Sequence, residues 1–146
     1  MNLIHKIERW GDSHHPKLLD IMRIALGVFL LLKGVAFMTN IPALKYIIEN
    51  RSDLSLSPAI LVAVVYYAAF VHMVGGALIA LGIFTRTASL LQVPVVFVAV
   101  FFVNSLLSPL NTELWASIIC LVLLALFMII GSGKLSLDNY FKSIQN

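Results

Sequence analysis

Apolar residues follow one another with few polar interruptions in four stretches, Leu18–Met38, Pro58–Phe84, Ala88–Leu107 and Leu114–Ile130. An apolar run of roughly 20 residues matches a hydrocarbon core of about 30 Å, so each stretch predicts a helix that crosses a bilayer. A transmembrane β-barrel would need short segments of alternating hydrophobicity. These runs are long and continuous, so helices are expected instead. The second run is longer than a perpendicular crossing requires and predicts tilt or a protruding end.

The polar intervals set the connections. Thr85-Arg86-Thr87 reads as a tight turn that makes the second and third spans antiparallel neighbours, and Ser108–Glu113 as a brief turn into the fourth. Asn40–Ser57 is the longest connection, and its Ala43–Asn50 stretch predicts a short surface helix. The expected architecture is all-α: a four-helix membrane bundle over 18–130, with short interfacial helices at both termini. Residues 1–17 form the first of these. Leu3, Ile4, Ile7 and Trp10 recur at helical spacing around Lys6 and Arg9, the pattern of a helix lying in the bilayer interface. This polar opening, with no small-residue cleavage site after the first apolar run, does not read as a signal peptide.

Composition agrees with the pattern. Of 146 residues, 60% are apolar and 12% charged. Soluble domains carry about 25% charged residues, enough to cover a surface, which this chain lacks. No charged residue falls between Asp53 and Arg86, between Arg86 and Glu113, or between Glu113 and Lys134. With an even number of spans, Lys6, Arg9, Lys17, Arg23, Arg86, Lys134 and Lys142 share one side, against Lys45 and Arg51 on the other. The positive-inside rule then places both termini in the cytoplasm of a bacterial inner membrane. The net charge of +3 reflects this asymmetry and gives no case for nucleic-acid binding.

Gly131–Asp138, "GSGKLSLD", has the look of a phosphate-binding loop. Met128 stands where the first glycine of that motif belongs, Leu135 where a serine or threonine should follow the lysine, and a membrane span precedes it. The octet reads better as a stop and restart in residues 131–146. Gly131 and Gly133 end the fourth span, and Ser136 caps a last amphipathic helix bearing Leu137, Tyr140, Phe141 and Ile144.

Titratable groups at membrane depth are costly and mark candidate sites. Lys33 stands about five residues, roughly 7 Å, from the outer end of the first span. Its stem can snorkel to the interface, or its ammonium can pair with Glu113 at the outer start of the fourth. His72 lies near the middle of the second span, where an imidazole can be a hydrogen-bonded packing group or a proton relay. Tyr66, Tyr67 and Asn104 lie toward the depth of Lys33, so an outward-opening cavity with His72 at its floor is expected. Gln92 is expected to make an interhelical hydrogen bond. Gly27 and Gly34, and Ala69, Gly76 and Ala80, recur at spacings that let helices approach closely. Pro94 is expected to kink the third span and free a carbonyl.

Arg23–Gly27 ("RIALG"), Gly75–Arg86 ("GGALIALGIFTR") and Gly131–Asp138 occur in the order that resembles the DoxX family of small four-helix membrane proteins. Members often carry a glutamate three residues before the glycine pair of the second helix; His72 occupies that place here. The family takes its name from a small subunit of a thiosulfate:quinone oxidoreductase, so the resemblance implies a redox or quinone-linked membrane role. The sequence itself shows no catalytic or metal-binding motif. Cys120 is the sole cysteine, which excludes C-x-x-C exchange and an internal disulfide, and no H-E-x-x-H occurs.

Two functional readings follow, both with the bilayer as the first partner and with no cofactor intrinsic to the chain. One is a non-catalytic accessory or anchoring subunit of a membrane redox assembly, with protein partners supplying the cofactors. The other is a binder or carrier of a small amphipathic ligand, a quinone or a lipid, near Lys33 and His72. Homo-oligomerisation is compatible with either.

Overall fold

The computed structural model describes Lys6 and residues 17–51, 55–103 and 112–145. The expected N-terminal interfacial helix, the Ser108–Asn111 part of the outer turn, Asn104 and the far end of the third span lie outside the described residues.

From Lys17 onward the described helices are, in order, α1 Lys17–Thr39, α2 Ile41–Arg51, α3 Pro58–Leu81, α4 Thr85–Val98, α5 Thr112–Ile130 and α6 Leu137–Ile144, with a π-helical turn Ala99–Val103 extending α4. No strand occurs among the described residues. The stretches Lys17–Thr39, Pro58–Leu81 and Thr85–Phe102 are long and apolar enough to cross a membrane, and Leu114–Ile130 is a shorter apolar helix of the same kind. At 1.5 Å per residue that last stretch covers about 25 Å, close to the thickness of a hydrocarbon core. The chain is therefore a multi-pass helical bundle in contact with lipid.

Glycine sets the tightest contact. A Cβ placed on Gly27 would collide with the backbone of Ala80 and Gly76, and one on Gly34 with the backbone of His72 and Met73. One on Gly76 would in turn meet Leu31 and Gly27. As numbers rise along α1 they fall along α3, so the two helices cross antiparallel, backbone on backbone. Lipid offers no hydrophobic drive for helix pairing, and such close approach replaces it with dispersion contact. Leu26, Leu30, Ile79, Ala88, Val96, Leu124 and Phe127 fill the core among α1, α3, α4 and α5. The short helix expected at Ala43–Asn50 is α2, which lays Leu44 and Ile48 on Leu61 and Val65 at the start of α3.

Local chemistry explains where the helices stop. Pro58 occupies the first position of α3, where its missing N–H costs nothing. Gly82 ends α3 in the left-handed region (φ 71°, ψ 37°), and its N–H and that of Ile83 return to the carbonyls of Ile79 and Leu78. That places the α3–α4 turn at Gly82-Ile83-Phe84 and corrects the expected boundaries. Thr85–Thr87 already form the first turn of α4 rather than the connection, because the left-handed glycine breaks the helix three residues early. Phe84, also left-handed at φ 46°, completes the reversal.

The octet behaves as a stop and restart. Gly131 and Gly133 have φ of 88° and 70°. Ser136, with extended backbone (φ −117°, ψ 151°), accepts the Asn139 N–H at 3.2 Å and caps α6. Pro94 lies inside α4, where it cannot donate to the Leu90 carbonyl; the π-helical turn begins five residues further on.

Candidate functional site

The three quoted motifs converge at one end of the bundle. Arg23, in the second turn of α1, is 0% exposed. Its Nη1 donates to the carbonyls of Ile79 (2.8 Å) and Ala80 (3.2 Å) in the last turn of α3, and its Nη2 to the Leu135 carbonyl (2.9 Å). Helix C-terminal carbonyls carry partial negative charge, and a buried guanidinium answers both that charge and their hydrogen-bonding demand. Asp20, one turn earlier and 1% exposed, stands 3.7 Å from Arg23 Nη2 and accepts the Leu135 N–H at 3.3 Å. The pair thus grips Leu135 by both its backbone groups.

Asp138 completes the junction, accepting the Phe84 N–H at 3.0 Å, while its own N–H donates to Gly82 at 3.3 Å. Arg86 reaches the Ile130 carbonyl at 3.4 Å. Arg23, counted above only among the charges of one side, is the central tie of this end; its carbonyl partners are remote in sequence and hide its role.

Of the residues expected to line a cavity around His72, the structure turns some inward and some outward. His72 is buried in α3, with Nδ1 3.0 Å from the Ala68 carbonyl and its ring 5.5 Å from that of Phe37. Lys33 is half-buried, its Nζ 5.8 Å from the centre of the Phe29 ring, and Gly34 beside it seats on the backbone of His72 and Met73. Lys33 and His72 therefore share a depth, whereas His72 was expected deeper, at a cavity floor. Tyr66 and Tyr67, however, are about half exposed on the outer surface of α3. The helical period puts Val65, Ala68, Ala69 and His72 on the inward face and carries the two tyrosines to the other. Glu113 belongs to α5 by its backbone, and its side chain, like Asn104, lies outside the described residues.

Gln92 belongs to a set of buried polar side chains whose other members, Thr85 and Ser89, escaped the sequence reading. Thr85, Ser89 and Gln92 are 1%, 0% and 0% exposed on one stripe of α4. Gln92, expected to bond across helices, instead rests against Gly75: a Cβ there would meet its Nε2 at 2.9 Å. Thr85 Oγ1, Ser89 Oγ and both amide atoms of Gln92 have no hydrogen-bond partner among the described residues. Their spacing of four and three residues in an apolar span was the available signal.

Two apolar grooves open on the side of the bundle. One runs along the outer face of α1 past Ile21, Val28 and Leu32. The other, of about 330 Å³, lies between α1 and α5, with Met22, Ala25 and Phe29 on one wall and Ala116, Ile119 and Cys120 on the other. Neither includes Lys33, His72, Tyr66 or Tyr67. Among the described residues, no cluster of three or more histidine, cysteine or carboxylate side chains could hold a metal ion.

No curated protein and no solved structure matches the chain. A family model described as DoxX matches residues 18–105, well over half of the sequence, and that stretch contains Arg23, the α1–α3 glycine contact and the Gly82 turn. The chain belongs to the DoxX family.

Proposed function

We propose that this protein is a non-catalytic accessory or anchoring subunit, whose bundle docks on a transmembrane helix of a partner in a membrane redox assembly. The observation that carries the reading is the α1–α5 groove. It is apolar, open to the side, and has a small residue on each wall, Ala25 and Ala116. Small residues admit the close backbone approach on which helix association in lipid depends. Meanwhile the conspicuous polar groups of the family motifs are engaged in holding the bundle together. Resemblance supplies the redox, quinone-linked setting. The gathering of Lys17, Arg23, Arg86 and Lys134 at one end supports an inner-membrane orientation with that end, and both termini, in the cytoplasm.

The test is photocrosslinking in native membranes from single positions. A probe at Phe29 or Ile119, in the groove, is expected to trap one defined protein after mild extraction, and a probe at Val62, exposed on α3 and outside the groove lining, to trap none. Recovery of the isolated chain alone from both groove positions would overturn the reading.

A second reading is favoured by the shared depth of Lys33 and His72: a small amphipathic ligand, a quinone or a lipid, bound with its polar head between them. It requires that Lys33→Leu and His72→Leu each reduce the ligand retained through purification. Unchanged retention in both variants excludes it.

A further inference from the structure

Only the start of α6 rests on the bundle. Leu137 and Asp138 are half-buried, whereas residues 139–145 are all exposed. Asp138 makes the tie, its carboxylate accepting the Phe84 N–H and its own N–H donating to Gly82. An isolated helix shorter than about 12–15 residues is marginal in water, and α6 has 8. It depends on a surface to lie on.

Its side chains are sorted for one. Leu137, Tyr140, Phe141 and Ile144 fall on one side of the helix, and Asn139, Lys142 and Ser143 on the other. Tyr140, Phe141 and Ile144 are 60%, 54% and 64% exposed. Leu135, just before the helix, and Phe84, at the turn to which Asp138 is tied, are exposed as well.

Position identifies the surface. Leu137 follows closely on Ile130, the end of the α5 span, and Asp138 is held at the turn that ends the α3 span. The helix therefore starts at the level where two spans leave the hydrocarbon, a level that tyrosine favours. Charge selects the lipid. At this end Asp20 is buried and Asp138 is half-buried against the Phe84 N–H, while Lys17, Lys134 and Lys142 are exposed. Among the described residues here, the carboxylates turn inward and the lysines outward. Each lysine near an anionic bilayer surface strengthens attachment about fivefold.

We propose that α6 docks on anionic lipid headgroups of the adjoining leaflet, with Leu137, Tyr140, Phe141 and Ile144 in the interface and Lys134 and Lys142 at the phosphates. The sequence pattern predicts an interfacial helix; its one-turn tie to the bundle and its outward lysines make it an arm that reads lipid charge. The arm is separate from the α1–α5 groove and from Lys33 and His72, so it does not depend on the functional readings above.

A neutral, water-soluble nickel chelate is the probe. The full-length chain in a Cys120→Ser background carries a nitroxide at Phe141→Cys or at Ser143→Cys, one chain per nanodisc. The discs contain phosphatidylcholine alone or an equal mixture with phosphatidylglycerol. In mixed discs the expected result is loss of most nickel-induced relaxation at Phe141→Cys and full relaxation at Ser143→Cys. In phosphatidylcholine alone, Phe141→Cys should regain it. Lys134→Gln combined with Lys142→Gln should make mixed discs behave like phosphatidylcholine ones; both lysines are exposed, so the fold does not rest on them.

Equal relaxation at the two positions in mixed discs overturns the proposal, and so does shielding of Phe141→Cys that is the same in both lipids. Shielding that appears only when discs hold two chains assigns the face to a second copy. Shielding that is lost when Leu3, Ile4, Ile7 and Trp10 are replaced by serine assigns it to the N-terminal segment. Either result also overturns the proposal.

Discussion

Replacing Arg23 by methionine removes the side chain on which the end of the bundle is tied. The guanidinium makes three hydrogen bonds, to Ile79, Ala80 and Leu135, at 2.8, 3.2 and 2.9 Å. Bonds to a charged donor contribute about 1.5–3 kcal/mol each, and the longest of the three belongs at the low end of that range. Methionine fills most of the volume, so the packing loss is small. Against the sum stands the cost of desolvating the cation, which the variant recovers. Asp20 is left buried without its neighbouring cation, and breaking one side of a buried pair typically costs 3–5 kcal/mol, with "about 4" as the working value here.

The expectation is therefore a loss of about 4 kcal/mol for Arg23→Met in reversible detergent-titration unfolding. Arg23→Lys should recover only part of it, since a single ammonium cannot span two α3 carbonyls and Leu135 as a planar fork does. Asp20→Asn combined with Arg23→Met should lose less than the two single losses added together, because both side chains act on the same Leu135 junction. If Arg23→Met unfolds within about 1 kcal/mol of the parent, the ordinary range for an unimportant substitution, the junction is not what holds this end and the reasoning fails.

Other expectations follow from particular contacts. Gly34→Val drives a side chain into the backbone of His72 and Met73 and should cost about 2 kcal/mol or more; Ala25→Val, in the open groove, should be near neutral, and similar losses for both would refute the close α1–α3 crossing. Ser136→Ala removes the cap of α6 and should cost about 1 kcal/mol, read as earlier proteolysis of the C-terminal segment in limited digestion. Phe84→Gly relieves a left-handed residue whose ring is largely exposed and should raise stability by about 1 kcal/mol; a lower unfolding midpoint would contradict this. Reporter fusions after Asn146 should be active only as a cytoplasmic reporter, and fusions after Asn50 only as an external one, if the charge bias sets orientation.

Much of the fold was legible because it depends on short-range rules. Hydropathy over some twenty residues marks a span whatever it packs against: α1 and α3 begin and end, and α4 begins, within a few residues of the expected limits. Gly131, Gly133 and Ser136 also announced their roles, since left-handed glycines and a serine cap act on their own backbone. The spacing of Gly27, Gly34 and Gly76 pointed correctly to a close crossing, though not to which helices crossed.

The candidate site was less legible. Which of Tyr66, Tyr67 and His72 faces inward turns on a rotation of α3 about its axis. Hydropathy cannot fix that rotation, because lipid and protein interior are both apolar.

By itself, then, the sequence determined that the chain is a helical membrane protein, where its helices break, and that a few polar side chains must lie at membrane depth. Only the tertiary structure decided which of these are tied and which are not. Arg23 finds its partners 56, 57 and 112 residues away, where α3 ends and the chain after α5 returns. Thr85, Ser89 and Gln92 are buried on a face where no described residue offers their side chains a hydrogen bond. The physical reason is the range of the forces: a span is set by local transfer from water to lipid, whereas a buried hydrogen bond depends on two backbones that meet only once the helices have packed.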